Sequence, residues 1–387
     1  MTTPKNILLT SKLPNTGNSI FSKMTALAQQ YQAINLAQGF PDFPVDPKLL
    51  DLVSSAMHQQ ANQYAPMPGL PLLRERIAEK YQSFYHVNVD PESEITITNG
   101  ATQAIFTTIA TIIHAGDEVI IFEPAYDCYR PTIELFGGKV IAIPLVAPEF
   151  TVDWQQVAEQ VTDRTRMVII NNPGNPSCTV WTKEDLLQLQ KIITRHELIV
   201  LSDEVYEHII YDERQHQSAL LFDELRARSF VIASFGKLLH CTGWKLGYVV
   251  APKELTAEFR KIHQQNVFSV NTPMQHAIAA YLDNPEYYHE LSTFMQGKRD
   301  RVINGLASSA FRITPSAGTY FLLLDYKNIS HKTEMDFAMQ LIEQHGVALI
   351  PIAPFYHHAT EQHTLRLCFA KKEETLDRAI QLLNKVS

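Results

Sequence analysis

Unbroken apolar runs recur through the middle of the chain, and between them apolar residues fall at helical spacing. The runs include Glu118-Val119-Ile120-Ile121-Phe122, Met167-Val168-Ile169-Ile170, Leu198-Ile199-Val200-Leu201 and Phe230-Val231-Ile232-Ala233. A short run without polar alternation predicts a strand buried on both faces, as in a parallel sheet covered by helices. Glu184-Asp185-Leu186-Leu187-Gln188-Leu189 illustrates the intervening helical stretches. This alternation between residues 94 and 251 predicts an α/β unit with a largely parallel sheet. Near the start of the chain, Ile20, Phe21, Met24, Leu27 and Ala28 keep the spacing of an amphipathic helix and read as packing residues.

After about residue 283 the pattern changes. A long polar helix is expected first, then a strand at Thr319-Tyr320-Phe321-Leu322-Leu323-Leu324, a helix from about 333 to 345, a strand near Arg366 and a closing helix. No fixed-period repeat, low-complexity tract or Gly/Ser linker marks a boundary.

Composition narrows the class. With 387 residues, 45% of them hydrophobic, the chain can bury a large core and form two domains. A net charge of −8 gives no basic excess, so neither nucleic acid nor an anionic membrane is expected as a partner. No apolar run approaches the roughly 18 residues of a membrane span, and Met1-Thr2-Thr3-Pro4-Lys5 does not open a signal peptide. A cytoplasmic protein is expected. The four cysteines, Cys128, Cys178, Cys241 and Cys368, form no Cys-x-x-Cys pair and read as reduced thiols. Of fifteen histidines only His357 and His358 are adjacent, and with no third ligand in sight no metal site is expected.

Candidate chemistry gathers where the apolar runs end. Ligands in an open parallel sheet lie beyond the carboxyl ends of its strands. Asp203 closes one such run, followed by Tyr206, and is placed to hold a ring nitrogen protonated. Lys237 follows Phe230–Ser234 in Ser234-Phe235-Gly236-Lys237. Either it is a solvated surface charge, or it is carried into a partly desolvated place where its amine loses charge and becomes a Schiff-base nucleophile. A second cation, Lys245, comes shortly after in Thr242-Gly243-Trp244-Lys245-Leu246-Gly247. Asn172-Pro173-Gly174-Asn175-Pro176-Ser177 reads as a tight turn, which is compatible with a ligand contact. Asn99-Gly100-Ala101-Thr102 joins Ile95-Thr96-Ile97-Thr98 to an apolar helix. Such a strand-to-helix turn exposes backbone N–H groups and the positive helix end to an anion.

In this order the pieces resemble the fold-type I pyridoxal 5′-phosphate (PLP) aminotransferases of class I/II. The likeness runs from Asn35-Leu36-Ala37-Gln38-Gly39-Phe40-Pro41-Asp42 to Leu365-Arg366-Leu367-Cys368-Phe369-Ala370. Gly39-Phe40-Pro41-Asp42-Phe43, Asn62-Gln63-Tyr64-Ala65-Pro66, the Ser234–Lys237 run and Gly318-Thr319-Tyr320-Phe321-Leu322 are most similar to the methionine, kynurenine and glutamine branch. The resemblance implies a mostly parallel seven-stranded sheet in a large PLP-binding domain, residues 46–282. It also implies a smaller α+β domain from 15–45 and 283–387, with an arm at 1–14.

The resemblance further implies roles. Lys237 would carry the cofactor as a Schiff base and then move the Cα proton, and Asp203 would pair with the pyridinium nitrogen. Tyr206 and Asn175 would hydrogen-bond the phenolic oxygen. Gly100, Ala101, Thr102, Ser234 and Lys245 would hold the phosphate, joined by Tyr64 from a partner subunit, so that a homodimer with shared sites is implied. Tyr126, otherwise a core aromatic, would stack on the cofactor ring. Arg366 would take the substrate α-carboxylate with help from the Gly39 backbone; the alternative is an intramolecular salt bridge, since an unpaired guanidinium is costly to bury. Phe268 would wall a neighbouring subunit's pocket, whose stretch Asn266–Pro273 offers no arginine for a second carboxylate.

Three departures stand out. Lys245 occupies a position where many relatives have arginine, giving charge without the bidentate fork. Cys178 stands where many have glycine, and would be strained if the turn needs a positive φ. Leu238 replaces a frequent threonine. The activity implied is exchange of amino and oxo groups between an amino acid (methionine, glutamine, aromatic or kynurenine) and a 2-oxo acid. Rival readings are a PLP β-lyase acting on cysteine conjugates or cystathionine, and a non-catalytic PLP-binding regulator. The regulator would need an added DNA-binding domain, for which the residues ahead of the matching region leave little room.

Overall fold

The computed structural model describes residues 10–14, 16–284, 286–358 and 360–387; the amino-terminal part of the expected arm, 1–9, lies outside them. After the helix Ile20–Gln30, capped by Ser19 and burying Met24 and Ala28, comes a two-residue strand β1 (Ile34–Asn35). The seven strands of the large sheet follow: β2 (Ile95–Thr98), β3 (Glu118–Glu123), β4 (Lys139–Pro144), β5 (Thr165–Asn171), β6 (Ile199–Asp203), β7 (Ser229–Ser234) and β8 (Gly247–Val250). Their order is β2-β8-β7-β6-β5-β3-β4, with every neighbouring pair parallel except the two that involve β8.

The apolar runs are strands because both faces of this sheet are covered. Ile120, Phe122, Val168, Ile170, Val200 and Val231 point into one buried cluster, whereas Val119, Ile121, Met167, Ile169, Leu201 and Ile232 point into another. Alternate residues of one strand therefore all find apolar partners, which is why no polar alternation shows in the sequence. Covering helices are set by local signals as well. Lys183–His196 starts on a capping box in which Thr182 and Asp185 satisfy each other's backbone N–H groups.

The first of the two clusters continues into a four-stranded antiparallel sheet, ordered β12-β13-β10-β9, through Leu322, Leu324, Leu365 and Leu367. Its strands are β9 (Arg312–Thr314), β10 (Phe321–Asp325), β12 (Ile350–Pro351) and β13 (Thr364–Cys368), while β11 (Val347–Ala348) pairs in parallel with β1. The expected polar helix is Glu286–Gly305 and the closing helix Glu373–Leu383. The helix expected at 333–345 is α-helical over Glu334–Gln340 and continues as a wider π turn over Leu341–His345. The strand expected from Thr319 begins at Phe321 instead, because Thr319 has φ +66, incompatible with extended backbone.

Candidate active site

Five carboxyl-terminal strand ends bring residues to one edge of the large sheet. Thr98 of β2 leads into Gly100, Glu123 of β3 into Tyr126, Asn171 of β5 into the Asn175 turn, Asp203 of β6 into Tyr206, and Ser234 of β7 into Lys237. Strand β8 runs the opposite way, so its first residue reaches the same edge. Gly247 pairs with Thr98 on one side and Ser234 on the other. Lys245 thereby comes alongside Gly100, where an added Cβ would lie 3.4 Å from Lys245 Nζ.

A cavity of about 170 Å³ at this edge is lined by Gly100, Ala101, Thr102, Tyr126, Asn175, Asp203, Tyr206, Ser234, Lys237 and Lys245. All the cofactor residues expected from within one chain thus converge there. A larger cavity of about 420 Å³ lies beside Ser177 and Cys178, but its exposed Arg214, Arg312 and Lys327 are offset by Asp185, Asp325 and Glu149, and it contains none of the expected residues.

Asp203 is 4% exposed, and burial pushes its carboxyl up to about 6. Tyr129 donates to its Oδ2 at 2.6 Å and the backbone N–H of Val205 to its Oδ1 at 3.3 Å. At the next strand end, desolvation lowers the Lys237 amine to about 8. Its Nζ donates to the Tyr320 hydroxyl at 2.8 Å and to the Gly39 carbonyl at 3.4 Å. Tyr206 is buried, with its ring edge-on to Tyr320 at 5.1 Å. Tyr126 packs edge-on against Tyr129 at 5.8 Å.

Arg366 sits in β13 and is 1% exposed. Its Nη1 donates to Asn175 Oδ1 and its Nη2 to the Ala37 carbonyl at 3.1 Å, while Nε has no partner. The guanidinium carbon lies 3.8 Å from the centroid of the Phe321 ring. Among the described residues no carboxylate forms a salt bridge with Arg366, so the salt-bridge alternative does not hold there. Gly39 packs so closely on Phe321 that a Cβ would come 2.8 Å from its Cζ.

Tyr64 and Phe268 stand apart. Their rings meet edge-on at 5.5 Å on the surface, with Tyr64 81% exposed and Phe268 49% exposed. Neither lines the cavity. Cys178 has φ +62, the left-handed conformation that glycine would adopt freely, and Lys245 and Phe268 are also in that region at φ +55 and +66.

The donor set can be tested against PLP. The amino end of Gly100–Ile112 lacks a side-chain cap, leaving N–H groups for a phosphate beside Lys245, and the hydroxyl of Ser234 likewise caps no helix. A buried carboxylate and a lysine of lowered basicity lie in the same cavity. Anion grip, ring-nitrogen partner and amine are together, so the residues fit the group. Sequence reading missed Tyr129 and Tyr320, whose hydroxyls hold Asp203 and Lys237 from distant parts of the chain.

Residues 31–383 match the family model for aminotransferase class I and II. A methionine aminotransferase from Escherichia coli is 48% identical over 97% of this chain and 98% of its own length. A solved E. coli structure, described as having a methionine aminotransferase function, superposes with a TM-score of 0.96 at 48% identity, covering 98% of this chain and 100% of the other. N-Succinyldiaminopimelate aminotransferase from Mycobacterium tuberculosis gives a TM-score of 0.95 at 36% identity, covering 98% and 100%.

Proposed function

Since the chain belongs to the aminotransferase class I and II family and uses PLP, we propose that it transfers amino groups from methionine, glutamine, kynurenine and aromatic amino acids to 2-oxo acids, using the residues gathered at the sheet edge. The observation that carries this reading is Arg366, a buried guanidinium without a carboxylate partner among the described residues. Leaving such a group unpaired is costly. An incoming α-carboxylate, common to amino and 2-oxo acids, would supply the missing charge and meet the free Nε.

PLP, when bound, supplies an electrophilic aldehyde carbon and an electron-withdrawing ring. Lys237 would hold the aldehyde end and, once released, carry the proton from substrate Cα. Asp203 would keep the ring nitrogen protonated, Asn175 and Tyr206 would hydrogen-bond the phenolic oxygen, and Tyr126 would cover one ring face. The amides of Gly100–Thr102, the Ser234 hydroxyl and the Lys245 ammonium would hold the phosphate. Residues 46–282 would form the cofactor-binding part, with 15–45 and 283–387 closing over it.

We further assign Tyr64 and Phe268 to the site of a second copy of this chain, which would account for two large aromatics left in water. An apolar wall there favours a thioether or ring over a side-chain carboxylate, which would lose hydration without a partner. The test compares kcat/KM for methionine, phenylalanine, kynurenine, glutamine and aspartate with a common oxo acid. Methionine and the aromatic donors are expected to lead, and aspartate leading would overturn the substrate assignment. Borohydride reduction followed by peptide mapping is expected to fix the cofactor on Lys237; label on Lys245 would overturn that role.

A further inference from the structure

We propose that Tyr320 is a positioning residue: its hydroxyl and the Gly39 carbonyl together dock the Lys237 amine whenever that amine is not bonded to the cofactor. This rests on the role assigned to Lys237 above. Lys237 Nζ donates to the Tyr320 oxygen at 2.8 Å, and Tyr320 donates its own proton to the Gly39 carbonyl, which also accepts from Nζ at 3.4 Å. Tyr320 is 0% exposed, and its ring is fixed edge-on against Tyr206 at 5.1 Å and Phe321 at 4.8 Å. The oxygen therefore has a set position.

Hydrogen counting gives the arrangement its meaning. The phenol proton is committed to Gly39, so toward Lys237 the oxygen offers only lone pairs and acts as an acceptor. A neutral amine has two N–H groups. With one on Tyr320 and the other on Gly39, its lone pair is left to point elsewhere, and Lys237 lines the cavity. In the ammonium the same two bonds are kept and the third proton takes the direction of that lone pair. One docking geometry thus presents a nucleophile before the cofactor is attached and, after the lysine is released, a base whose lone pair takes the substrate Cα proton and holds it in that same direction for delivery.

Tyr320→Phe removes only the oxygen. In the apoprotein, acylation of Lys237 as a function of pH, read by peptide mass mapping, needs neither cofactor nor substrate. Loss of an acceptor for the ammonium in a desolvated place should move the acylation midpoint to lower pH. Reincorporation of PLP should slow by about fivefold, the worth of one ordinary hydrogen bond, with final occupancy retained. An unchanged midpoint and an unchanged reincorporation rate, with borohydride still fixing the cofactor on Lys237, would overturn the proposal while leaving the role of Lys237 intact. If Tyr320→Phe does not fold, 3-fluorotyrosine at position 320 keeps the shape and weakens the oxygen as an acceptor. It should shift the midpoint in the same direction, and no shift there would overturn the proposal as well.

Discussion

Tyr129 donates its hydroxyl to Asp203 Oδ2 at 2.6 Å, a shorter bond than the one Oδ1 accepts from the Val205 N–H at 3.3 Å, so the carboxylate at the end of β6 meets the cavity already oriented from both oxygens. Tyr129 opens the helix Tyr129–Leu135, and its contact with the strand end is long-range. The tyrosine counteracts part of the burial that raises Asp203, since a hydrogen bond to the carboxylate favours its charged form.

Tyr129→Phe should therefore raise Asp203 further and leave less of it ionised at neutral pH. The acid limb of kcat/KM against pH should move upward, with the alkaline limb unchanged and PLP occupancy retained. A pH profile that superposes on the wild-type one would refute the role of Tyr129.

Asp203→Asn should stabilise the apoprotein while nearly abolishing turnover. Below pH 3.8 the aspartate is protonated in both folded and unfolded chains. As pH rises from there through about 6, the folded form keeps a proton that the unfolded form releases, so stability is lost across that window. Asparagine carries no such penalty and can still accept from Tyr129. Its apoprotein should be more stable than wild type above pH 6 by about 1–3 kcal/mol, and the advantage should vanish below pH 3.8. Denaturant titrations at both ends of the range measure this; an equal gain at low pH would point to some other origin.

Arg366→Lys keeps the charge and loses both the fork to Asn175 and Ala37 and the flat face on Phe321. A loss in kcat/KM on the order of a hundredfold is expected, and it should be the same for methionine, phenylalanine and aspartate. A loss confined to aspartate would mean that Arg366 reads a side chain and not the α-carboxylate.

Gly39→Ala puts a Cβ 2.8 Å from Phe321 Cζ and disturbs the carbonyl that takes both Tyr320 and Lys237. Overpacking of this kind costs about 1–3 kcal/mol. Combining it with Phe321→Leu should restore part of the lost melting temperature. Strict additivity of the two changes would show that the clash is relieved elsewhere.

Much of this site was legible from sequence because buried parallel strands write themselves as apolar runs and their carboxyl ends face the ligand. Asp203, Lys237 and the Gly100 turn were each found by reading where such a run stops. Strain at Cys178 was expected from the resemblance on the condition that its turn needs a positive φ, and its φ is +62. Strand direction was another matter: Gly247-Tyr248-Val249-Val250 is apolar whichever way it runs, so the reversed β8 left no mark. Tyr320 shows in the sequence only as part of a strand and of the Gly318–Leu322 likeness, and Tyr129 not at all, because a hydroxyl's partner far along the chain has no local signature. Arg366 is open between a salt bridge and a substrate contact on its residues alone and is turned toward the substrate only by the resemblance, since three-dimensional packing decides whether a carboxylate is nearby.

The reversal of β8 also sets a length. Ser234 and Gly247 face each other in register, so the segment between them is pinned at both ends, and it carries both Lys237 and Lys245. The backbone positions that carry the amine and the cation thus belong to one hairpin, a caliper whose span is set by the number of residues between them, while Tyr320 and Gly39 from distant parts of the chain set where the amine points. One residue more or fewer within 238–244 should spoil the cofactor's fit at one end or the other, whereas insertions outside the hairpin leave the gauge intact.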